Sequence, residues 1–436
     1  MRRGLKTIGA MAAAFVLVGV SLAGSPADAA AGEEAASAEG SYIVTVGDGV
    51  DPLAVAGTVG AAVSNRYDSA LRGFAAPLTA TQVAALQRDT RVTDVVVDKV
   101  YSVVPPRRDV LPPGHEAQLT SWGQDRMGLL ESPTAKVDGK DRRRDRVDAD
   151  IAVIDTGVAS HLDLNVAGGY NCTEGPRSDY ADRFGHGTMV AGIAGAIDNA
   201  YGRVGTAPGA RIWAIKVVRL DGYVYDSDLL CGFDWVLRNS HRIDVANISL
   251  GGPGRDTGRC GAARPGVKRD AIHQAVCALV RAGVTVVAAA GNESMDASGL
   301  IPAAYPEVIA VSAFTETDGL VGGAGPEAWC QPGEFDDHLA TFSNFGSVVD
   351  IAAPGVCIGS TFPTTFIDGY YYYYATGSGT SFSAPHVAGA AALVRARHPN
   401  ASPAQVRRII LAAAAHDPLP GDPDGITEPI LDLRRL

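Results

Sequence analysis

Nearly unbroken apolar runs recur through the second half of the chain, and segments with helical periodicity separate them. Runs of this kind occupy residues 149–154, 211–218, 245–250, 284–290 and 308–312. Helical patterns cover residues 227–238 and 270–282. Strands that are apolar without alternation are covered on both faces. The pattern therefore predicts an α/β fold, with a doubly wound, mostly parallel sheet and helices on both of its faces.

A second, smaller pattern precedes this region. Strand-like segments occupy residues 42–46, 73–76 and 92–97. Helical segments occupy residues 52–63 and 79–87, and Thr79 is placed to cap the second of them. We therefore predict a separate small domain at residues 41–104 that contains both strands and helices.

The first residues have the features of an export signal. Arg2, Arg3 and Lys6 precede an apolar stretch at residues 8–23, and Ala27-Asp28-Ala29 forms a typical cleavage site. The alternative is a membrane anchor, but the apolar stretch is shorter than the ~20 residues that span a bilayer. We expect residues 1–29 to be a signal peptide and the mature protein to be secreted, extracellular and without a membrane anchor.

A proline-rich stretch, residues 105–120, separates the small domain from the large one. It contains four prolines and no apolar periodicity, which is typical of an extended, cleavable linker. The large domain then covers residues 121–436. The net charge of −11 and the pI near 5.3 argue against a nucleic-acid partner, because they imply no basic face.

All six cysteines lie in the large domain, downstream of the export signal. An even number of cysteines in an exported protein favours disulfides, because the extracellular compartment is oxidising. The spacing favours the pairs Cys260 with Cys277, Cys330 with Cys357, and Cys172 with Cys231. Other pairings, or six buried thiols, are the alternatives.

Three short motifs carry candidate chemistry. Asp155-Thr156-Gly157 follows the first buried strand, His186-Gly187-Thr188 precedes a helix of small apolar residues, and Gly379-Thr380-Ser381 leads into an alanine-rich helix. A serine at a helix N-terminus lies near unpaired N–H groups and the positive end of the helix dipole. It becomes a nucleophile when a nearby base takes its proton. The chain therefore supplies a nucleophile, a base and an acid.

These motifs, in the order Asp, His, Ser, resemble those of the subtilisin-like serine proteases, or subtilases, over about residues 122–436. The resemblance implies a secreted serine endopeptidase that hydrolyses peptide bonds through Asp155, His186 and Ser381 and an acyl-enzyme. The domain at 41–104 resembles the inhibitory pro-domain of that family, an α+β fold with helices on one face of an antiparallel sheet. It implies an autoprocessed zymogen whose partners are peptide or protein substrates and its own pro-domain. An accessory domain that stays attached is the alternative.

The resemblance extends to the substrate-binding side. Asn292 lies in the loop Ala290-Gly291-Asn292, which is similar to the loop whose asparagine donates a hydrogen bond to the oxyanion in that family. An Asn after Gly is also common in ordinary turns. Residues of two further segments are expected to bind an extended substrate: Ser249, Leu250, Gly251, Ala289, Ala290 and Gly291.

Two features differ from the family or remain open. Met189 stands where subtilases often carry a second histidine, and since that position has a packing role we expect activity to survive.

We expect that no cofactor is required. Calcium binds many relatives, but no specific ligand spacing indicates it here; the carboxylates considered for it are Asp163, Asp179, Asp182, Asp198 and Asp350.

Two other functional classes are alternatives to a protease. A catalytically dead subtilase that serves as a binding module is disfavoured, because Asp155, His186, Ser381 and Asn292 are all present. A serine esterase of the α/β-hydrolase type would need a Gly-x-Ser-x-Gly motif, which the sequence lacks. The sequence also lacks the His-Glu-x-x-His motif of zinc proteases.

Overall fold

The computed structural model describes residues 39–103, 109–110, 118–258, 260, 270–367 and 370–436. The predicted signal peptide and most of the predicted linker lie outside these residues. Along the described chain no helix is both long and apolar enough to cross a membrane.

The small domain is a four-stranded antiparallel sheet with the strand order β2-β3-β1-β4. Its elements are β1 (Gly40–Val46), α1 (Pro52–Thr58), β2 (Asn65–Tyr67), β3 (Gly73–Leu78), α2 (Ala80–Leu86) and β4 (Val92–Val97). Val44, Phe74 and Leu86 are buried in its core. Thr79 caps α2 and forms a capping box with Gln82, as the sequence predicts. The predicted helix at 52–63 ends earlier, at Thr58, because the chain turns at Gly60, whose φ is +64°.

The large domain is built on an eight-stranded sheet with the order β16-β15-β13-β11-β7-β9-β8, in which β17 also pairs with β15. Its strands are β7 (Asp150–Asp155), β8 (Val166–Asn171), β9 (Arg211–Lys216), β11 (Val245–Ile248), β13 (Thr285–Ala289), β15 (Ile309–Thr315), β16 (His338–Leu339) and β17 (Ile351–Pro354). All neighbours are parallel except β15 and β16.

Helices cover both faces of this sheet. They are α3 (Trp122–Arg126), α4 (His186–Gly195), α5 (Asp226–Arg238), α6 (Ala271–Arg281), α7 (Thr380–Arg397) and α8 (Pro403–Ala413), with a 3-10 turn at Ala297–Gly299. Ile151 and Val153 of β7 pack with α4, α7 and α8, whereas Ala152 and Ile154 pack with α5 and α6. The strands are therefore buried on both faces, and the predicted doubly wound α/β fold is confirmed.

Short strands complete the structure. They are β5 (Val100–Ser102), β6 (Asp109–Val110), β10 (Tyr223–Tyr225), β12 (Gly252–Pro253), β14 (Leu300–Ile301), β18 (Ile358–Ile367) and β19 (Tyr370–Gly377). The strand β19 begins with five successive tyrosines, residues 370–374, and pairs antiparallel with β18. Tyr373 is exposed, and the Tyr374 hydroxyl donates to Asp163.

The small domain lies against α5. The Tyr67 hydroxyl donates to the carbonyl of Ser227 at 3.0 Å, and the Asn65 amide donates to Asp228 Oδ1 at 3.1 Å. After β4, the strand β5 pairs antiparallel with β10 of the large domain. The chain that leaves the small domain is thus part of a sheet in the large domain.

Three disulfides connect parts of the large domain: Cys172–Cys231, Cys260–Cys277 and Cys330–Cys357. These are the pairs that the cysteine spacing favours, so that prediction is confirmed. The alternative of six free thiols is wrong, because every cysteine of the chain is in one of these bonds.

Candidate active site

The fold places the residues of the three motifs at the ends of different elements. Asp155 is the last residue of β7, His186 is the first residue of α4, and Ser381 is the second residue of α7. Asn292 lies in the loop after β13, the second strand from β7 across the sheet. Side chains at the carboxyl ends of parallel strands meet at one edge of a sheet, where α/β proteins form their sites.

The carboxylate of Asp155 holds the ring of His186. The His186 Nδ1 atom lies 2.8 Å from Asp155 Oδ1 and 2.9 Å from Oδ2. Asp155 is fully buried, and its Oδ1 also accepts the N–H of Thr156 at 2.7 Å. A carboxylate at Nδ1 favours the tautomer that carries its proton there, which leaves Nε2 free to accept a proton.

The pKa of His186 reflects opposing effects. Burial of the ring lowers the pKa most strongly, but the charge and hydrogen bond of Asp155, together with the charge of Asp182, raise it further. The result is a pKa above the ordinary histidine value. The imidazolium that forms when His186 accepts a proton is therefore stabilised.

Asp182 organises the loop that precedes His186. Its Oδ1 accepts the N–H groups of Phe184 and Gly185, both at 2.8 Å. Its Oδ2 accepts from the N–H and hydroxyl of Thr188 at 3.0 and 2.6 Å. From the sequence, Asp182 was only a candidate calcium ligand. The available signal was an Asp shortly before a helix start, a position from which Asp often bonds the following N–H groups.

Ser381 lies in the first turn of α7, and two neighbours fix that turn. Gly379 has a φ of +151°, and a Cβ there would lie 3.1 Å from Ser381 Oγ, so glycine is required. The Ser249 hydroxyl donates to the Ser381 carbonyl at 2.7 Å. The ring of Phe382, the next residue, lies 5.4 Å from the ring of His186. Within the described residues no hydrogen bond joins Ser381 to His186; such bonds often tighten only when substrate is bound.

Asn292 is oriented by Thr380. The Asn292 Oδ1 atom accepts the Thr380 N–H at 2.8 Å and its hydroxyl at 3.0 Å. The Thr380 Oγ1 atom in turn accepts the N–H of Gly291 at 3.1 Å. The side-chain oxygen of Asn292 is therefore engaged, which leaves its amide NH₂ group as a donor at the cleft that Ser381 also lines. No role was predicted for Thr380 from the sequence, although it lies directly before the serine.

A cleft of about 580 Å³ brings these residues together. His186, Asn292 and Ser381 line it, as do Ser102 and Val103 of the chain that leaves the small domain. Of the residues predicted to bind substrate, those that line it are Ser249, Leu250, Gly251, Ala289 and Gly291.

Ala290 is not among the described residues that line the cleft, and its role in substrate binding stays a prediction. The residue is fully buried, and its carbonyl accepts the amide of Asn344 at 2.9 Å. Asn344 also accepts the N–H groups of Glu293 and Met295, so it shapes the whole loop that carries Asn292. The role of Asn344 was not predicted, because nothing local in the sequence connects this residue to a loop some fifty residues away.

Met189 is fully buried beside Phe382 and Phe362. It therefore has the packing position that the sequence analysis assigned to it. Whether activity survives its presence stays a prediction.

The carboxylates considered for calcium all have protein partners. Asp163 accepts from Asn199, Asp198 from Gln118, and Asp182 from the loop donors described above. Asp179 pairs with Arg183, and Asp350 pairs with Arg407.

A separate acidic group, Glu316, Asp318 and Asp336, has oxygens within 4.8 Å of one another. Arg126 Nε lies 3.7 Å from Glu316 Oε2, and Asp336 accepts N–H groups from Thr317 and Gly325. A cation already lies beside this group, so it does not fit a calcium ion well.

Two regions of the chain match known protein families. A model of the subtilase family matches residues 148–428, and a model named peptidase inhibitor I9 matches residues 36–103. The chain is 37% identical over 270 residues to Subtilisin E of Bacillus subtilis (strain 168), a match that covers 61% of this chain and 60% of that protein. It is 35% identical over 291 residues to Subtilisin BL of Lederbergia lenta, covering 67% of this chain and 90% of that protein.

A solved structure is also similar. It is the crystal structure of a cold adapted subtilisin-like serine proteinase, with a TM-score of 0.53 and 28% identity, and the match covers 72% of this chain and 98% of that chain. The family model matches well over half of the chain and includes Asp155, His186, Asn292 and Ser381. The chain therefore belongs to the subtilase family.

Proposed function

We propose that this protein is a secreted serine endopeptidase that hydrolyses peptide bonds through Asp155, His186 and Ser381. The observation that carries the proposal is the contact of His186 Nδ1 with both oxygens of a fully buried Asp155, at the cleft that also contains Ser381. A buried carboxylate on one ring nitrogen prepares the other nitrogen to act as a base. No cofactor takes part in this chemistry.

In the first half of the reaction, Ser381 Oγ attacks the carbonyl carbon of the peptide bond, and His186 Nε2 accepts the hydroxyl proton. The carbonyl oxygen becomes an anion. It accepts hydrogen bonds from Asn292 Nδ2 and from the Ser381 N–H, which has no intrahelical partner because it lies in the first turn of α7. His186 then gives its proton to the leaving amine, and an acyl-enzyme remains.

In the second half, water attacks the acyl-enzyme with His186 again acting as the base. The tetrahedral anion forms at the same donors, and its collapse releases the acid product and restores the Ser381 hydroxyl. Asp155 stays ionised throughout and stabilises the imidazolium of His186. The small residues Gly251 and Ala289 leave room on either side of the cleft for an extended substrate.

The protein is made as a zymogen, in which residues 41–104 are an inhibitory pro-domain between the signal peptide, 1–29, and the cleavable linker, 105–120. The catalytic domain covers residues 121–436. Three observations support this division: the match of the inhibitor model to residues 36–103, the pairing of β5 with β10, and the position of Val103 in the cleft. A chain segment that lies in the cleft blocks substrates.

Labelling with a fluorophosphonate tests the proposal. The reagent should attach to Ser381 in the mature protein, as located by peptide mapping, and Ser381→Ala should lose both label and peptidase activity, with kcat reduced by several orders of magnitude. Ser383→Ala is the matched control, because Ser383 lies on the same helix and is fully buried. Unchanged hydrolysis of casein by Ser381→Ala would rule out this assignment.

The same experiment separates a protease from a binding module. A subtilase fold that only binds peptides would retain the cleft but would not react with the fluorophosphonate. Reaction at Ser381 accompanied by cleavage of peptides excludes that alternative, and reaction accompanied only by cleavage of simple esters would favour an esterase.

A further inference from the structure

The segment that follows β4 of the pro-domain, residues 99–103, places Tyr101 in contact with Asp226 and Gly252 of the large domain. We call this segment the tail. The Tyr101 hydroxyl donates to Asp226 Oδ1 at 2.9 Å, and the Asp226 N–H donates to the Lys99 carbonyl at 3.0 Å. The Tyr101 ring lies against Gly252, where an added Cβ would come within 2.0 Å of Tyr101 Cε1. A side chain at Gly252 would therefore take the space of the ring.

The backbone of this tail is held in an extended conformation beside the cleft. Tyr101 is paired with Val224 in the antiparallel contact of β5 with β10, and the Val103 N–H donates to the Gly222 carbonyl at 2.8 Å. Ser102 and Val103 line the cleft that contains Ser381. The main-chain contacts depend on no particular side chain, so a peptide substrate can make the same ones.

We propose that Asp226 makes this protease selective for a tyrosine side chain in the extended segment upstream of the cleaved bond. The inference rests on the proposed function, because it names a side-chain preference of the same cleft. Asp226 is a specificity residue in this proposal and touches none of the reacting atoms.

Burial of the carboxylate explains the preference. Asp226 is only 7% exposed, and a buried acceptor that loses its donor costs free energy. Burial raises the pKa of Asp226 to about 7, and the hydrogen bond from Tyr101 acts in the opposite direction, so the phenol stabilises the charged carboxylate. Phenylalanine fills the same space but donates nothing.

The surroundings favour a ring over a long cationic side chain. Tyr101 packs against an apolar cluster that includes Ile248, Leu250 and Ile301. A lysine or arginine would bring its charge to Asp226 but would place a flexible stem where the ring now packs beside Gly252. The phenol combines an apolar body with one donor at its tip.

The test uses the mature enzyme and internally quenched peptides. The peptides carry the sequence of residues 99–103, Lys-Val-Tyr-Ser-Val, before a common cleavable segment, with Tyr, Phe, Arg or Ala at the position of Tyr101. We expect kcat/KM for the Tyr peptide to exceed that for the Phe peptide by roughly 10- to 100-fold, the effect of one hydrogen bond to a charged group. In Asp226→Ala the ratio should fall close to one, and Asp226→Asn should give an intermediate ratio.

Controls separate the failure of this inference from the failure of the proposed function. Asp221→Asn, a charge removed from an exposed residue two positions before β10, should keep the wild-type ratio. The fraction of Asp226→Ala that reacts with a fluorophosphonate reports its folding, and the comparison of Tyr with Phe in the wild-type enzyme needs no variant. Equal rates for the Tyr and Phe peptides, or faster cleavage of the Arg peptide, would overturn the inference and leave the protease intact. Loss of cleavage of all peptides with no labelling of Ser381 would instead overturn the proposed function.

Discussion

Thr380 holds the side-chain oxygen of Asn292 with two hydrogen bonds, one from its N–H at 2.8 Å and one from its hydroxyl at 3.0 Å. An amide whose oxygen is engaged in this way presents its NH₂ group in a fixed direction. The residue directly before the proposed nucleophile thus orients the proposed oxyanion donor, although the two lie 88 positions apart in the chain.

The first prediction concerns this contact. Thr380→Val keeps the shape and the backbone N–H but removes the hydroxyl, so Asn292 should be less well oriented when negative charge develops. We expect kcat to fall roughly tenfold with little change in KM, a smaller loss than the roughly 10²- to 10³-fold that follows when such a donor is removed outright. Thr380→Ser should retain most of the activity, since it keeps the hydroxyl. Equal kcat values for the Val and Ser variants would contradict the positioning role.

The second prediction concerns pH. Catalysis needs neutral His186, and its pKa lies above the ordinary value because Asp155 and Asp182 outweigh the effect of burial. A base with a raised pKa is protonated, and therefore inactive, over more of the acidic range. Activity should accordingly be lost as the pH falls through the raised pKa and should hold on the alkaline side.

Asp155→Asn provides the control for that profile. Without the anion at position 155, only the charge of Asp182 opposes the effect of burial on the pKa of His186, so the acidic limb of kcat/KM should move to lower pH while the maximal rate falls by orders of magnitude. Stopped assays between about pH 5 and about pH 10 cover the acidic limb and the alkaline plateau. An acidic limb that stays at the same pH in Asp155→Asn would mean that the titrating group is not His186.

Much of this structure could be predicted from the sequence, for a physical reason. Strands buried on both faces are continuously apolar, so the parallel sheet could be predicted. The motifs around Asp155, His186 and Ser381 could also be predicted, because each is a short local sequence. The roles of Thr380 and Asn344 could not be predicted, because their partners are distant in the sequence and are set by packing. The role of Asp182 had a local signal, since its partners lie within six residues of it. The strand β2, only three residues long, was also missed.

The third prediction concerns the hydrogen bonds between the large domain and the pro-domain. Asp234 Oδ1 accepts three successive N–H groups of the pro-domain, those of Asp68, Ser69 and Ala70, at 3.2, 2.7 and 2.9 Å. Asp234 is almost fully buried, so these donors meet a carboxylate out of water. Hydrogen bonds to a charged group contribute about 1.5–3 kcal/mol to an interface.

Asp234→Asn should therefore lower the affinity of the large domain for the pro-domain by roughly tenfold or more. The measurement is the lag before peptidase activity appears after the zymogen is cleaved, which should shorten. Asp221→Asn, which changes an exposed carboxylate outside the contact, should leave the lag unchanged. If the Asp234 and Asp221 variants showed the same lag as the wild type, this contact would have no part in inhibition.

The last prediction is that the enzyme cleaves its own precursor. The positions of Val103 and Asp109, on either side of residues 104–108, indicate which bond is cleaved. Val103 lies in the cleft, and Asp109 of β6 pairs with Thr376 of β19, which also lines the cleft. We expect the cleaved bond to lie between Val103 and Trp122. Within that range the segment between Val103 and Asp109 is favoured, because both of these residues lie at or beside the cleft. Bonds just before Pro105, Pro106, Pro112 or Pro113 are poor candidates, because proline lacks the N–H and restricts the preceding residue.

Expression of the chain without its signal peptide, as wild type and as Ser381→Ala, tests this. Mass spectrometry of the purified wild type should give a new N-terminus between residues 104 and 109. The Ser381→Ala precursor should stay intact, because its active site has no nucleophile to cleave the chain. Adding a trace of active wild-type enzyme to Ser381→Ala distinguishes cleavage within one molecule from cleavage between molecules, since only the latter would process the variant. A Ser381→Ala precursor that is trimmed in the same window after purification from other proteases would refute self-processing.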